Sequence, residues 1–215
     1  MKEYHKIEAV FNRDTTGSKK LIEGDFRDET IAFLANTINW IWTEKVDGTN
    51  IRVFWDGHEV SFGGRTDKAQ IPAHLVTRLE ELFKTNEAEE MFEQMFGENE
   101  VILFGEGYGA KIQNGGNYTD GKSCDFILFD IMVGNLYLKR EAVNEIAQAF
   151  GIKVVPVVGI GTLNEAITYI KTHPFSMLGN NKHEMEGVVC RPVVELNDRR
   201  GRRIIVKIKY EDFVC

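Results

Sequence analysis

A lysine stands between two carboxylates where an apolar, strand-forming segment is interrupted. These residues are Glu44, Lys45 and Asp47, followed by Gly48 and Asn50. An Asp-Gly pair between two strand-like runs predicts a tight turn, because glycine accepts the positive φ that such a turn demands. A lysine at the end of a buried strand can be held as a neutral amine, which is a nucleophile. The alternative is an ordinary hairpin with solvated side chains, and this stretch alone leaves both interpretations open.

Three more polar residues are placed by predicted strands. Arg65 comes directly after a pair of glycines at the end of a hairpin, where the backbone can approach a partner closely. Glu106 lies between glycines where a short apolar run ends, and Asp130 is embedded in an apolar run. A buried aspartate needs either a structural hydrogen-bond partner or a chemical function, and the sequence leaves both open for Asp130.

Two lysines near the end of the chain alternate with apolar residues. Lys207 and Lys209 are two positions apart in a predicted strand, which places both side chains on one face. Two ammonium groups on an inward face repel each other unless an anion lies between them. Glu186 opens the preceding strand and offers a carboxylate. If the face is instead exposed to solvent, the lysine pair has no special meaning.

The hydrophobic pattern predicts the elements that carry these residues. We expect a short helix capped by Asp28 and longer helices at 74–96, 139–150 and 164–171. The predicted strands cover residues 7–11, 41–42, 51–55, 60–62, 101–104, 126–131, 154–158, 186–191 and 204–210. The Gly- and Asn-rich segment 109–122 is predicted to be a mobile surface loop. Because no linker or repeat interrupts the chain, residues 1–215 are interpreted as a single domain.

Composition is typical of an ordinary globular protein. No apolar run reaches the roughly 20 residues of a membrane span, and the N-terminus lacks the apolar core of a signal peptide. Cys124, Cys190 and Cys215 are widely spaced and odd in number, which predicts free thiols in a reducing environment. We therefore expect a cytoplasmic protein that contacts no membrane.

The net charge of −7 does not by itself favour nucleic-acid binding, because phosphate contacts need clustered lysines and arginines. The basic residues are unevenly distributed, however. The strongest local cluster consists of Arg199, Arg200, Arg202 and Arg203. It predicts either a phosphate-contacting surface or simply the exposed tip of a hairpin.

The order of these features along the chain resembles the motif set of the covalent nucleotidyltransferase superfamily. Within it, the chain is most similar to ATP-dependent RNA ligases of the phage RNA ligase 2 type. The resemblance runs from about Trp42 to Tyr210. The motifs that carry it are Lys45-Val46-Asp47-Gly48, Arg65, Glu106, Phe129-Asp130, Glu186-Gly187 and Lys207-Ile208-Lys209.

The resemblance implies an α+β fold with two mostly antiparallel sheets, flanking helices and the nucleotide between the sheets. This is the ATP-grasp-like nucleotidyltransferase domain of the ligases. Larger members carry a further C-terminal domain after the paired-lysine strand. We therefore expect a stand-alone adenylyltransferase domain at 1–215 without a C-terminal accessory domain, whose place an accessory protein could take. A phage protein acting in the host cytoplasm is one setting that the resemblance suggests.

The resemblance also implies roles for residues near the nucleophile. Lys45 matches the lysine that attacks the α-phosphate of ATP and becomes lysyl-AMP. Glu44 matches a position beside the adenine edge. Asp47 and Asn50 match the part of the motif that holds the nucleophile and later assists sealing.

The remaining motifs match nucleotide-binding positions. Arg65 and Glu106 match groups that contact the ribose and position the substrate, and Phe129 matches the aromatic residue that stacks on adenine. Asp130, beside Phe129, is expected to be one of the catalytic residues. Glu186 matches the carboxylate associated with Mg²⁺ or Mn²⁺. Lys207 and Lys209 match the pair that holds the α-phosphate. Phosphoryl transfer depends on such positioning and charge neutralisation, and neighbouring cations also favour the neutral amine of the nucleophile.

The activity implied is ATP-dependent RNA ligation for RNA repair. AMP passes from ATP to the lysine and then to a 5′-phosphate, and a 3′-hydroxyl displaces it to join the RNA ends of a nicked duplex or a broken single strand. A small ATP-dependent DNA ligase and a capping guanylyltransferase are alternatives within the superfamily. A non-catalytic module that binds a nucleotide or an RNA end is the alternative from another class.

Overall fold

The computed structural model describes residues 1–17, 19–179 and 183–214. These residues separate into two compact units. The first unit comprises Met1–His5, Asp47–Val155 and Gly179, and the second comprises Lys6–Val46, Pro156–Leu178 and residues 183–214. Each unit has its own main sheet and hydrophobic core, and the second unit also contains a separate two-stranded antiparallel sheet. This confirms the α+β class with mostly antiparallel sheets. That residues 1–215 form a single nucleotidyltransferase domain stays a prediction.

The elements alternate between strands and a small number of helices. The strands are β1 (Glu8–Ala9), β2 (Phe11–Arg13), β3 (Leu21–Phe26), β4 (Trp40–Glu44), β5 (Thr49–Trp55), β6 (Val60–Gly63), β7 (Val101–Gly109), β8 (Cys124–Val133), β9 (Leu136–Tyr137), β10 (Lys153–Val154), β11 (Val157–Gly161), β12 (Gly187–Pro192) and β13 (Val206–Lys209). The helices are α1 (Glu29–Leu34), α2 (Ala73–Phe83), α3 (Asn86–Phe96), α4 (Arg140–Ala149) and α5 (Leu163–Lys171).

The first unit is built on a six-stranded sheet in the order β10-β8-β7-β5-β6, with β9 paired to β8. The strands are antiparallel except for β10, which runs parallel to β8. The core contains apolar residues of β5, β7 and β8 together with buried residues of α2, α3 and α4. The remaining face of the sheet carries a smaller cluster around Phe104.

The second unit is built on a five-stranded sheet in the order β1-β13-β12-β4-β11. It is antiparallel except for β1, which runs parallel to β13. Trp40 and Trp42 of β4 pack in one core with Val188 and Ile208, and α5 contributes Ile170 to the same core. These residues alternate along each strand with those of the opposite face, where Lys207 and Lys209 lie.

Helix boundaries follow the capping signals closely. Asp28 caps α1 by accepting a hydrogen bond from the Ile31 amide, as its position predicts. The single helix expected at 74–96 is wrong, because α2 and α3 are separate helices. Thr85 accepts a hydrogen bond from the Ala88 amide and so begins the second of them.

Several expected strand boundaries are also wrong. The strand expected at 154–158 is two strands in two different sheets, β10 and β11, separated by Pro156, which has no amide hydrogen to donate. The strand expected at 7–11 is likewise divided between β1 and β2. At the end of the chain, β13 begins at Val206 rather than at residue 204.

The motif around the candidate nucleophile is not a hairpin. β4 and β5, which flank Asp47 and Gly48, belong to different sheets, and the φ of Gly48 is not positive. A Cβ on Gly48 would lie 2.3 Å from the carbonyl oxygen of Gly107, so glycine is required here by close backbone approach. The second Asp-Gly pair does form the expected hairpin turn between β5 and β6, with Gly57 at a φ of +97°.

The remaining structural predictions concern thiols, membranes and one loop. Cys124 and Cys190 are free thiols as expected, whereas Cys215 lies outside the described residues. None of the helices in the described part of the chain has the length and apolar character that crossing a membrane requires. The segment 109–122 is less exposed than its composition predicts, because Ile112 and Tyr118 are buried.

Candidate active site

Lys45 directly follows β4 and continues its pairing with β12. Its amide donates to the carbonyl oxygen of Gly187 at 2.9 Å. Its Nζ lies 2.6 Å from Oε2 of Glu186, and the Lys45 side chain is 25% exposed. The candidate nucleophile is therefore held at the end of β4 by a carboxylate that directly precedes the neighbouring strand β12.

Glu186 bridges two lysines. Its Oε2 contacts Lys45, and its Oε1 lies 2.8 Å from Nζ of Lys209, which also contacts Glu211 at 2.9 Å. Gly187, next to Glu186, pairs with Lys209 in the ladder between β12 and β13. A Cβ on Gly187 would lie 2.2 Å from the carbonyl oxygen of Ile208. The close approach of β12 and β13 at this position therefore requires glycine.

Lys207 and Lys209 lie on one face of β13, as expected, but their surroundings differ. Burial lowers the pKa of Lys207, and the positive charges of Lys45 and Lys209 lower it further. Burial also acts to lower the pKa of Lys209, but hydrogen bonds to Glu186 and Glu211 outweigh it and raise that pKa above its ordinary value. In the described part of the chain, Lys207 forms no ion pair. The cluster thus contains one lysine whose charge is poorly compensated.

Glu44 is almost completely buried, with 1% of its surface exposed. Its two carboxylate oxygens accept hydrogen bonds from the hydroxyl of Ser176 and, at 2.8 Å, from the amide of Met177. Burial raises the pKa of Glu44, and these two hydrogen bonds oppose that effect. Ser176 and Met177 were not among the expected site residues, because a loop residue more than 130 positions away carries no local signal.

Asp47 belongs to the first unit and is held by the segment 109–122. Its backbone amide donates to the hydroxyl oxygen of Tyr118 at 3.1 Å. Nδ2 of Asn114 donates to Oδ2 of Asp47 at 2.8 Å. Neither Asn114 nor Tyr118 was among the expected site residues.

Asn50 and Glu106 are directly opposite each other in the ladder between β5 and β7. Glu106 therefore lies inside a strand, and its expected place at a strand end is wrong. Oδ1 of Asn50 is buried and has no hydrogen-bond partner among the described residues. A buried amide oxygen without a partner is unusual in folded proteins, so Asn50 is available to bind a donor.

Phe129 and Asp130 are adjacent in β8. Asp130 is 1% exposed, and its Oδ2 accepts a hydrogen bond from the hydroxyl of Tyr4 at 2.9 Å. The ring of Tyr4 packs edge-on against Phe129 with 5.0 Å between ring centroids. Asp130 thus has a structural partner, and its expected catalytic role stays a prediction.

Arg65 is exposed and follows β6 in a turn that a buried arginine supports. Nε of Arg52 donates to the carbonyl oxygen of Gly64 at 2.7 Å, and Nη2 contacts Asp67 at 2.9 Å. Arg52 is fully buried in β5. An arginine inside an apolar strand was visible in the sequence, so this supporting residue could have been recognised.

The arginine cluster near the end of the chain is only partly available for phosphate contact. Arg202 pairs with Asp198, and Arg203 pairs with Glu195. Arg199 and Arg200 are exposed at the same turn. Two of the four arginines are therefore compensated within the turn itself.

The candidate residues thus form separate sets in the two units. Ion pairs connect Lys45, Glu186 and Lys209 in the second unit, which also contains Glu44 and Lys207. The first unit contains Asp47, Asn50, Arg65, Glu106, Phe129 and Asp130. Neighbouring cations are one of the arrangements that activate a lysine as a nucleophile, and Lys45 has Lys207 and Lys209 in the same unit.

Comparison with known proteins identifies the family. A family model described as RNA ligase matches residues 38–209, which is well over half of the chain. The chain therefore belongs to the RNA ligase family. A comparison with curated proteins finds no significant match.

Solved structures of Naegleria gruberi RNA ligase share the fold. An apo mutant superposes with a TM-score of 0.65 at 19% identity, covering 96% of this chain and 55% of that one. A mutant with ATP and Mn gives a TM-score of 0.61 at 17% identity, covering 96% and 61%. The structure with PPi gives 0.61 at 19% identity, covering 97% and 62%. This chain thus spans less than two thirds of the length of each of these relatives.

Proposed function

We propose that this chain is an ATP-dependent RNA ligase that acts through a lysyl-AMP intermediate. The observation that supports the proposal is the cluster of Lys45, Glu186 and Lys209, joined by two short ion pairs in a member of the RNA ligase family. A nucleophilic lysine needs neighbouring positive charge, both to favour its neutral amine and to bind the phosphate that it attacks. Lys207 and Lys209 supply that charge on the same sheet face.

In the first step, Nζ of Lys45 attacks the α-phosphorus of ATP. A nitrogen–phosphorus bond forms, the bond to the leaving oxygen breaks, pyrophosphate departs, and Nζ loses a proton. Lys207 and Lys209 bind the non-bridging oxygens of the α-phosphate, where negative charge increases in the transition state. The poorly compensated charge of Lys207 suits this role, because an arriving phosphate provides the anion that Lys207 lacks.

Glu186 would hold a divalent cation, Mg²⁺ or Mn²⁺, in place of one of the two lysines that its carboxylate oxygens contact in this structure. No group of three His, Cys, Asp or Glu side chains in the described residues is arranged to hold a metal ion. A single carboxylate is nevertheless sufficient when substrate phosphates supply further oxygen ligands, which is common for Mg²⁺. Bound there, the cation would help to neutralise the phosphate charge. Mn accompanies ATP in several of the Naegleria structures, which supports a divalent cation as a cofactor.

The same proposal assigns the other expected site residues to binding the adenosine of ATP and to holding the nucleophile. Phe129 offers an aromatic face for adenine, and Glu44 lies at the adenine edge. Arg65 and Glu106 contact the ribose and position the substrate. Asp47 and Asn50 hold the nucleophile and assist sealing, and Asp130, beside Phe129, is a further proposed catalytic residue.

In the later steps AMP passes to a 5′-phosphate, and a 3′-hydroxyl then displaces it. The proposed substrates are RNA ends, either in a nicked duplex or in a broken single strand. Arg199 and Arg200 are the proposed phosphate contacts of the arginine cluster, because Arg202 and Arg203 are already paired. A cytoplasmic location and an accessory protein partner stay predictions.

Self-labelling tests the proposal. Purified protein is incubated with [α-³²P]ATP and Mg²⁺ and then separated on a denaturing gel, with Lys45→Ala alongside. Lys68→Ala is the matched control, because Lys68 is an exposed lysine in the first unit. We expect a labelled band in the wild type and in the control, and none in Lys45→Ala. Sealing of RNA and DNA ends by the labelled protein is then compared.

Other outcomes would point to the alternatives. Labelling by GTP but not ATP would indicate a guanylyltransferase, and preferential sealing of DNA ends would indicate a DNA ligase. Binding of ATP or RNA by folded, unadenylylated protein without any labelled band would leave a non-catalytic binding module.

A further inference from the structure

The segment 109–122 reaches Asp47, two residues beyond the candidate nucleophile, in three places. Asn114 donates to the carboxylate of Asp47 at 2.8 Å, and the hydroxyl of Tyr118 accepts from its amide at 3.1 Å. The third contact is backbone to backbone, because a Cβ on Gly115 would lie 3.0 Å from the carbonyl oxygen of Asp47. The segment thus contacts the side chain, the amide and the carbonyl group of one residue.

This segment is anchored independently of Asp47. Ile112 is 3% exposed and packs in the core of the first unit. The ring of Tyr118 is 6% exposed and packs edge-on against Tyr108, with 5.8 Å between ring centroids. Gly115 also approaches the backbone of Gly109 so closely that a Cβ would lie 2.7 Å from its nitrogen. Because these contacts fix the segment, it can impose a position on Asp47 rather than follow it.

Only one of the two carboxylate oxygens of Asp47 accepts a hydrogen bond from the described residues. Asn114 contacts Oδ2, whereas Oδ1 accepts no hydrogen bond from the residues that the structure describes. Asn114 is neutral, so it orients the carboxylate without cancelling its charge. One oxygen is thereby held while the other stays available to the reaction.

We propose that Asn114 and Tyr118 are positioning residues that hold Asp47 in its reactive orientation. This inference rests on the proposed function, because the orientation of Asp47 matters to the chemistry only if Lys45 is the nucleophile. Each of the two residues acts through its hydrogen bond with Asp47. Small displacements of a positioned group slow enzymatic reactions strongly, so the effect is expected in the rate of reaction.

The test uses Tyr118→Phe and Asn114→Ala in the full chain. Tyr118→Phe removes the hydroxyl that accepts from the Asp47 amide and keeps the ring against Tyr108. We expect lysyl-AMP formation and sealing of pre-adenylylated RNA to slow by about tenfold in Tyr118→Phe and by about threefold to tenfold in Asn114→Ala. The KM for ATP and the Tm are expected to stay near those of the wild type.

Two matched controls separate positioning from loop stability. Asn117→Ala removes an exposed amide from the same turn, and no hydrogen bond joins that side chain to any described residue. Tyr108→Phe removes a hydroxyl that contacts Lys153 and Asp125 but leaves Asp47 untouched. Both controls are expected to keep wild-type rates.

The outcomes distinguish this inference from the proposed function. A wild type that forms no lysyl-AMP contradicts the proposed function itself. A wild type that labels normally, with Tyr118→Phe and Asn114→Ala labelling and sealing as fast as Asn117→Ala, overturns the positioning role. Rates in Tyr118→Phe and Asn114→Ala that fall only in proportion to a lowered Tm also overturn it.

Discussion

The two units hold their candidate residues by different kinds of contact. In the second unit, charged groups hold one another: Glu186 bridges Lys45 and Lys209 through ion pairs of 2.6 and 2.8 Å. In the first unit, the neutral groups of Asn114 and Tyr118 hold Asp47. A neutral donor fixes the direction of a carboxylate and leaves its charge intact, whereas an ion pair compensates the charges that it joins.

The difference suits the two kinds of work proposed for the residues. In a lysine cluster that binds a phosphate, several positive charges repel one another before the phosphate arrives. Glu186 reduces this repulsion because it forms ion pairs with two of the lysines. A carboxylate that assists the reaction must instead keep a definite orientation. The same comparison predicts where a substitution acts through charge and where it acts through geometry.

Loss of the bridging charge is expected to have the largest effect. Glu186→Gln keeps the size of the side chain but leaves Lys45 and Lys209 facing each other without an anion. We expect lysyl-AMP formation to fall by at least about 100-fold, as for removal of one preorganised charged group from an active site. Single-turnover labelling with [α-³²P]ATP measures the effect.

The matched control is Glu211→Gln, because Glu211 contacts Lys209 but forms no ion pair with Lys45 among the described residues. It is expected to cost less than about tenfold, in keeping with a partly exposed ion pair. Equal losses in the two variants would mean that general charge, rather than the bridge, supports the cluster.

Adding a side chain where two backbones approach closely is expected to have the next largest effect. Each unit contains a glycine of this kind, Gly48 in the first and Gly187 in the second. Gly48→Ala places a Cβ 2.3 Å from the carbonyl oxygen of Gly107, and Gly187→Ala places one 2.2 Å from that of Ile208. We expect each to lower the free energy of unfolding by about 2–3 kcal/mol through overpacking. Urea denaturation measures both, and Gly116→Ala, whose nearest contact is 4.0 Å away, should be nearly neutral. A neutral Gly48→Ala would show that this motif tolerates side chains.

Much of the fold could be predicted from local patterns. Asp28 as a helix cap, the Asp-Gly turn before His58 and the shared face of Lys207 and Lys209 depend on neighbours within a few residues. Such signals are local, and the structure confirms them. The ordered motifs also led to the family, because motif order is a property of the sequence itself.

Two kinds of feature could not be predicted from the sequence. One is a local signal that is compatible with two structures, and the other is a contact with a residue far away in the chain. Asp47-Gly48 indicates a turn equally well when the chain leaves one sheet for another, which is what it does. Ser176 lies 132 positions from Glu44, and Tyr118 lies 71 positions from Asp47. Only tertiary structure brings these residues together, so no spacing rule could find them.

The smallest expected effect is a difference in the free energy of unfolding between substitutions of the two lysines of β13. Lys207→Gln removes a charge that the folded protein disfavours, so we expect it to raise the free energy of unfolding at pH 7 by roughly 0.5–1 kcal/mol. Lys209→Gln removes the partner of Glu186 and Glu211, so we expect a decrease of similar size. Urea denaturation of the two variants beside the wild type measures both.

The Lys207→Gln and Lys209→Gln variants are also expected to differ in how their stability depends on alkaline pH. Because the pKa of Lys207 is lowered in the folded protein, the unfolded chain binds more protons just below the ordinary lysine pKa of about 10.4, and stability rises with pH in that window. Because the pKa of Lys209 is raised, its stabilising contribution is complete below about 10.4 and is lost as the pH rises further. Lys207→Gln should therefore remove the gain below about 10.4, and Lys209→Gln should remove part of the loss above it. Identical pH profiles for both variants would mean that the two lysines share one environment, against the ion pairs seen for Lys209 alone.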